Sequence, residues 1–239
     1  MSGHSKWAQI KRQKADTDKK KGQLFSKLSR EISIAAKAGA DPGMNFKLRL
    51  VLDRAKDAGM PKDGIDRAIK RGTGEDKTLI IEDVVYEGYG PGGSAFLIQA
   101  ATDNKNRTVN NIKHIFTQHG GSLGVAGSVN FLFTARGQVL VPKDGNQNLE
   151  EISLAAIDLG AEDVRSSEDG LEIYTIPLDV EKIKDALEKT GVKIAAYEMI
   201  MQPQTTIEAE GQIKDQILSL TDALENEEDV ISVHTNANL

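Results

Sequence analysis

The chain has 239 residues, 39% hydrophobic and 28% charged, enough apolar content for packed cores and the balance of a water-soluble protein. It has no cysteine, which excludes disulfide frameworks, thiolate zinc sites and thiol catalysis, and no apolar run approaches the length of a transmembrane helix. The net charge of −6 is the sum of two unequal parts: residues 1–77 carry 19 Lys and Arg against 10 Asp and Glu, the remainder 11 against 26.

The leader "MSGHSKWAQIKRQK" is basic without an apolar core, so it does not read as a secretory signal, and a cytoplasmic location is expected. Residues 2–22 have few apolar anchors and read as a solvated arm or a polar helix. From Gln23 to Ala38, Leu24, Leu28, Ile32 and Ala35 fall on one helical stripe, and Gly39 with Asp41-Pro42-Gly43 marks a stop and a turn. Asn45 can cap a second helix with Leu48, Leu52 and Ala55 on one face. Pro61 opens a third, with Ile65, Ala68 and Ile69 as its apolar stripe and Gly72 at its end.

The period then changes. "TLIIEDVVYE" and "SAFLIQAAT" read as strands joined by a glycine-rich loop, Asp103 or Asn104 caps a helix over "KNRTVNNIKHIFTQH", and "SVNFLF" reads as another strand. Residues 135–202 follow as strand, helix, two strands, helix and strand, the order of the ferredoxin-like split β-α-β motif. The tail reads "TTIEAEG" strand, "QIKDQILSLTDALEN" helix and "DVISVHT" strand, too small to stand alone. The expected architecture is therefore α+β in three domains. A basic three-helix domain spans 1–77. A discontinuous α/β domain spans 78–134 plus 203–239. A ferredoxin-like domain at 135–202 is inserted in it.

Gly88, Gly90 and Gly93 match G-x-G-x-x-G, but a dinucleotide loop needs a helix directly after the glycines to hold the pyrophosphate. An apolar strand-like run follows instead, and no acidic residue stands about 20 positions on. The stretch reads as a connection between strands, and no cofactor is expected. His114 and His119 lie five apart on a helix, about 140° around its axis, and do not converge on a metal. No catalytic signature is present, so neither an enzyme nor a small-molecule substrate is expected.

The positive signal is the basic leader. Lys6, Lys11, Arg12, Lys14, Lys19, Lys20 and Lys21 fall within 16 positions, with Trp7 among them. Cationic side chains of this density neutralise phosphates, and an aromatic such as Trp7 can stack on an unpaired base. Lys27 and Arg30 continue the charge along the first helix, and Lys70 and Arg71 lie at the end of the third. These residues are the expected nucleic-acid contacts. A secondary contact through the loop of Gly88, Tyr89, Gly90, Gly92 and Gly93 is expected from glycine amides that could meet a phosphate. The sequence leaves the oligomeric state open.

The segments "GHSKWAQIKRQKA", "GQLFSKLSREI", "YEGYGPGG", "TDNKNRT" and "GGSLGVAGSVNFLF" resemble, in order, the signature segments of the YebC/PmpR family. The resemblance covers essentially the whole chain, more loosely after Phe133. It implies a helical N-terminal domain followed by two α/β domains, one inserted in the other, with no catalytic activity or obligatory cofactor. It further implies a cytoplasmic, DNA-binding transcriptional regulator. The alternative it carries is a ribosome-associated translational activator that applies the same arm to ribosomal RNA.

Overall fold

A computed structural model describes Trp7 and residues 18–76, 78–146 and 148–239, with backbone alone at residues 18–20. Three helices come first: α1 (Asp18–Ala36), α2 (Phe46–Asp57) and α3 (Lys62–Gly72). Leu28 and Ile32 of α1, Leu48, Val51, Leu52 and Ala55 of α2, and Ala68 of α3 close a common core. Full burial of each large aliphatic there contributes about 1.5–3 kcal/mol.

The joints of this bundle are polar. Asn45 accepts from the Leu48 amide as the cap of α2, while its side-chain amide donates to the carbonyls of Ala35 and Gly39 at 2.8 Å each, so one residue ends α1 and begins α2. Helices α1 and α3 meet over small side chains. Ser33 Oγ donates to the Ala68 carbonyl at 2.9 Å, and a Cβ on Gly72 would stand 2.3 Å from the Ser33 carbonyl oxygen. No side chain fits there, so glycine sets how closely the helices approach.

The rest is two sheets, giving an α+β architecture. The first sheet runs β3-β1-β2-β9, from β1 (Glu82–Tyr89), β2 (Ala95–Thr102), β3 (Ser122–Leu123) and β9 (Val230–Thr235), every neighbour antiparallel. Helices α4 (Lys105–Gln118) and α7 (Gly211–Asn226) cover one face. Phe96 and Ile98 of β2 pack there with Ile112, Phe116, Ile217, Leu220 and Leu224, and the Phe96 and Phe116 rings meet edge to face at 5.8 Å. Leu97 and Ala101, on the opposite face of β2, are buried as well, and α1 passes close to β2 and β9. A strand covered on both sides reads as a continuous apolar run, as "AFLIQAAT" does.

The second sheet, β5-β6-β4-β7, comes from β4 (Phe133–Pro142), β5 (Asp163–Ser166), β6 (Gly170–Thr175) and β7 (Ala196–Pro203), with α5 (Leu149–Asp158) and α6 (Val180–Lys189) as crossovers. Its β-α-β-β-α-β order, with β6 between β4 and β5 and with β4 between β6 and β7, is the ferredoxin-like arrangement. The chain forms two compact units: residues 132–205, to which Trp7 also belongs, and the helices with the first sheet, closing again from residue 206.

Two strand readings need correction. "SVNFLF" is not a strand. Residues Asn130–Leu132 form a 3₁₀ turn, and Phe133 opens β4. The cause is Glu87 on β1. Its carboxylate accepts from the amides of Gly127, Val129 and Asn130 at 2.6–2.7 Å, which removes those donors from any ladder. "TTIEAEG" contributes only β8 (Ile207–Glu208), which pairs in parallel with β10 (Ala237–Asn238) rather than joining the main sheet.

Candidate nucleic-acid interface

The basic residues expected from the sequence fall into groups that the structure treats differently. Lys6, Lys11, Arg12 and Lys14 lie outside the described residues. Lys19 and Lys20 are in the first turn of α1. Lys21 is exposed one position on, its Nζ 5.8 Å from the centroid of the Phe25 ring. Trp7 is buried, 5% exposed, and its indole N–H meets no acceptor among the described residues. A base could stack on it only after that burial is given up.

Lys27 and Arg30, expected as nucleic-acid contacts along the first helix, instead engage groups of the chain itself. Lys27 Nζ donates to the Glu225 carbonyl at 2.5 Å and to the Val230 carbonyl at 2.7 Å. Burial pushes its pKa down to about 8, against the pull of Glu225, Glu227 and Asp229 and with the push of Arg30. Arg30 donates to the Glu228 carbonyl and carboxylate and faces Asp229 at 3.2 Å. Both cations fasten α1 to the corner between α7 and β9.

Asp229 is the hub of that corner. Its carboxylate, 1% exposed, accepts from Arg107 Nη2 at 2.8 Å and from the Thr102 and Thr108 hydroxyls at 3.1 and 2.6 Å. Burial opposes its ionisation, but the bonds from Thr108 and Arg107 and the charge of Arg30 outweigh this and hold it below the usual carboxylate range. The segment "TDNKNRT" is thereby explained. Asn104 caps α4 by accepting from the Arg107 amide, and Arg107 bridges Asp103 and Asp229. The conspicuous polar motif is a structural clasp.

The glycine-rich stretch joins β1 directly to β2 through a 3₁₀ turn at Pro91–Gly93. Its amides are turned on itself: Gly90 donates to Ser94, Gly93 to Gly90 and Ser94 to Pro91. That leaves little of the open amide nest a phosphate would need. Gly92 has φ +68, and a Cβ there would meet Ile213 of α7 at 2.9 Å, so these glycines serve a tight turn seated on a helix. Beside it, Tyr89 Oη donates to the Ser128 carbonyl at 2.9 Å, and the Glu87 bonds fix the following loop, with Val125 and Phe131 exposed on it.

Lys70 is exposed at the end of α3, and Arg71 lines a cleft of about 410 Å³ between α1 and α3. Phe25, Ser29, Pro61 and Arg67 line the same cleft. The Arg71 Nε is buried without a hydrogen-bond partner among the described residues. Arg67 was not among the residues expected from the sequence. The available signal was its i,i+4 spacing to Arg71 in "DRAIKR", which puts two guanidinium groups on one stripe of a helix. Asp63 and Asp66 stand exposed on the same helix.

Among the described residues no group of three His, Cys, Asp or Glu is placed to hold a metal, and no helix is long and apolar enough to cross a membrane. Residues 5–75 match the TACO1/YebC protein N-terminal domain, and residues 81–237 match the TACO1/YebC second and third domain. The chain belongs to the TACO1/YebC family. It is 47% identical over 238 residues to a "Probable transcriptional regulatory protein" of Pelotomaculum thermopropionicum, covering 99% of this chain and 98% of that one. A protein of the same designation from Dehalococcoides mccartyi is 48% identical, covering 99% and 94%. A solved structure, a conserved hypothetical protein from Aquifex aeolicus, superposes with a TM-score of 0.84 at 41% identity, covering 94% of this chain and 93% of that chain.

Proposed function

We propose that this TACO1/YebC protein is a nucleic-acid-binding regulator of gene expression that meets its target through the basic N-terminal region. The supporting observation is the partition of charge: 19 cationic against 10 acidic side chains through residue 77, in a chain whose remainder is strongly acidic. Such an arrangement draws one region toward a polyanion and keeps the rest away from it. The relatives' designation as probable transcriptional regulatory proteins favours DNA as the target and a cytoplasmic, non-enzymatic role.

The exposed acids Asp63 and Asp66 favour a second reading. A recognition helix in a major groove presents its polar face to base edges between two rows of phosphates, and carboxylates on that face are repelled. Irregular RNA, such as ribosomal RNA, accepts a cationic arm with less demand on any one helix. Crosslinking in cells, sequencing of the recovered nucleic acid and gradient sedimentation of lysate separate the two. Promoter DNA supports transcriptional regulation. Ribosomal RNA with co-sedimentation supports a translation factor. Recovery of neither overturns both. Replacing Lys11, Arg12 and Lys14 together by Glu should abolish binding and leave the fold intact.

A further inference from the structure

The cleft between α1 and α3 has a property that the charge count alone does not carry. Of the arginines that line it, Arg30 is neutralised by Glu228 and Asp229. Arg67 and Arg71 have no carboxylate within ion-pair distance among the described residues. Arg67 Nε donates only to the Asp63 carbonyl in its own helix, at 3.1 Å. Arg71 keeps a buried Nε with no acceptor among the described residues. Its charge does reach Asp76, whose carboxyl is lowered first by hydrogen bonds from Thr78 and last by Arg71, but the half-buried Asp76 is bonded to the Thr78 amide and hydroxyl on the following turn. Arg71 nonetheless lines the cleft, and no carboxylate of the described residues neutralises its guanidinium there. Two planar forks one helical turn apart match the oxygens of a phosphodiester better than two point charges would.

The remaining walls agree with this. The half-buried ring of Phe25 offers an aromatic surface, and the hydroxyls of Ser26 and Ser29 line the same wall. The only carboxylate lining the cleft among the described residues, Glu228, is already bonded to Arg30. A cleft of about 410 Å³ lies within the range that takes a nucleotide-sized ligand. It is a recess between helices, so a nucleotide splayed from a single strand can enter it while the regular backbone of a duplex passes over it.

We propose that this cleft is a nucleotide subsite of the nucleic-acid interface, in which Arg67 and Arg71 hold one phosphodiester of a single strand and Phe25 takes the adjoining base. The proposal rests on the nucleic-acid reading above and adds the residues and the strand form. RNA and DNA share this chemistry, and the test names the source.

Fluorescence anisotropy of a labelled ten-nucleotide single-stranded RNA, the matching single-stranded DNA and the matching duplex is measured over a salt series. The proteins compared are the wild type, Arg67→Gln, Arg71→Gln, Phe25→Leu and the Lys11/Arg12/Lys14→Glu arm variant. In parallel, the RNA carries one 4-thiouridine, and its crosslinked peptides are identified by mass spectrometry. Each arginine substitution should weaken single-strand binding about tenfold and lower the salt slope by about one. Phe25→Leu should weaken binding with the slope unchanged, and the crosslink should fall on residues 25–30. Thermal unfolding at the wild-type temperature shows that each variant is folded. Loss on RNA alone, DNA alone or both supports the subsite and identifies the strand. Wild-type affinity and slope in Arg67→Gln and Arg71→Gln, while the arm variant loses binding, overturns the subsite and leaves the nucleic-acid reading standing. Equal losses on duplex and single strand overturn the splayed-nucleotide geometry. No binding of any of the three by the wild type overturns both.

Discussion

Lys27 Nζ lies 2.7 Å from the carbonyl oxygen of Val230, a residue 203 positions away. An ammonium aimed at backbone carbonyls at a helix-to-strand corner stabilises the end of α7 and joins the helical region to the last strand of the first sheet. It does so at the cost of desolvating a charge.

That cost is visible in pH dependence. The folded pKa of about 8 lies below the ordinary value of 10.5, so between these pH values the unfolded chain binds more protons than the folded one, and folding stability rises with pH. The stability difference between wild type and Lys27→Met, from urea unfolding at pH 7.5 and pH 10, should shift in favour of wild type by on the order of 1–3 kcal/mol. Parallel pH curves would contradict the desolvation.

Asp229→Asn keeps the shape of the hub but removes its charge and turns an amide donor toward the Thr108 hydroxyl or Arg107. The expected loss is about 1.5–3 kcal/mol, because hydrogen bonds to a buried charged group are lost together. In a double-mutant cycle with Arg107→Ala the two changes should be non-additive by at least about 0.5 kcal/mol. Simple additivity would show that Arg107 and Asp229 are neighbours without being partners.

Glu87 supplies a local acid switch. Burial works against its ionisation, but amide bonds from Gly127, Val129 and Asn130 prevail and lower its pKa. Its contribution is therefore present above the ordinary carboxylate range and lost as pH falls through the lowered value. Glu87→Gln should cost about 1–3 kcal/mol and speed hydrogen exchange at those three amides, with the rest of the sheet protected as before. Uniform loss of protection would mean that the loop is not a separate opening unit.

Gly72→Ala sets helix propensity against packing. Alanine in a helix is favoured over glycine by up to about 1 kcal/mol. Its Cβ would stand 2.3 Å from the Ser33 carbonyl oxygen and 2.7 Å from the Ala36 side chain, and helix backbone cannot yield as a flexible side chain does. Packing should win, with a net loss of about 1–3 kcal/mol in chemical unfolding. A gain in stability would show that α1 and α3 separate easily.

Much of the architecture is legible in the order of hydrophobic periods. The stripe of Leu24, Leu28 and Ile32, the cap at Asn45 and the unbroken run of β2 each leave a local pattern. What escapes local reading is what depends on a distant partner. Nothing near Lys27 tells that its ammonium ends on carbonyls of residues 225 and 230, so a count of charge along the helix groups it and Arg30 with the exposed cations. "SVNFLF" has strand composition, but Glu87, some 40 residues earlier, takes its amides. Arg67 escapes because the leader dominates any count of charge, whereas the cleft it lines exists only once α1 and α3 are packed.

The pairing of β2 with β9 bears on how the chain is made. β9 follows residues 132–205 in the chain, so during synthesis β2 waits with one edge open while those residues emerge and complete their own sheet. A nascent or truncated chain that ends before Val230 exposes the backbone edge of Phe96, Leu97 and Ile98. Such an edge invites intermolecular pairing. Termination just before Val230 is therefore expected to yield insoluble product.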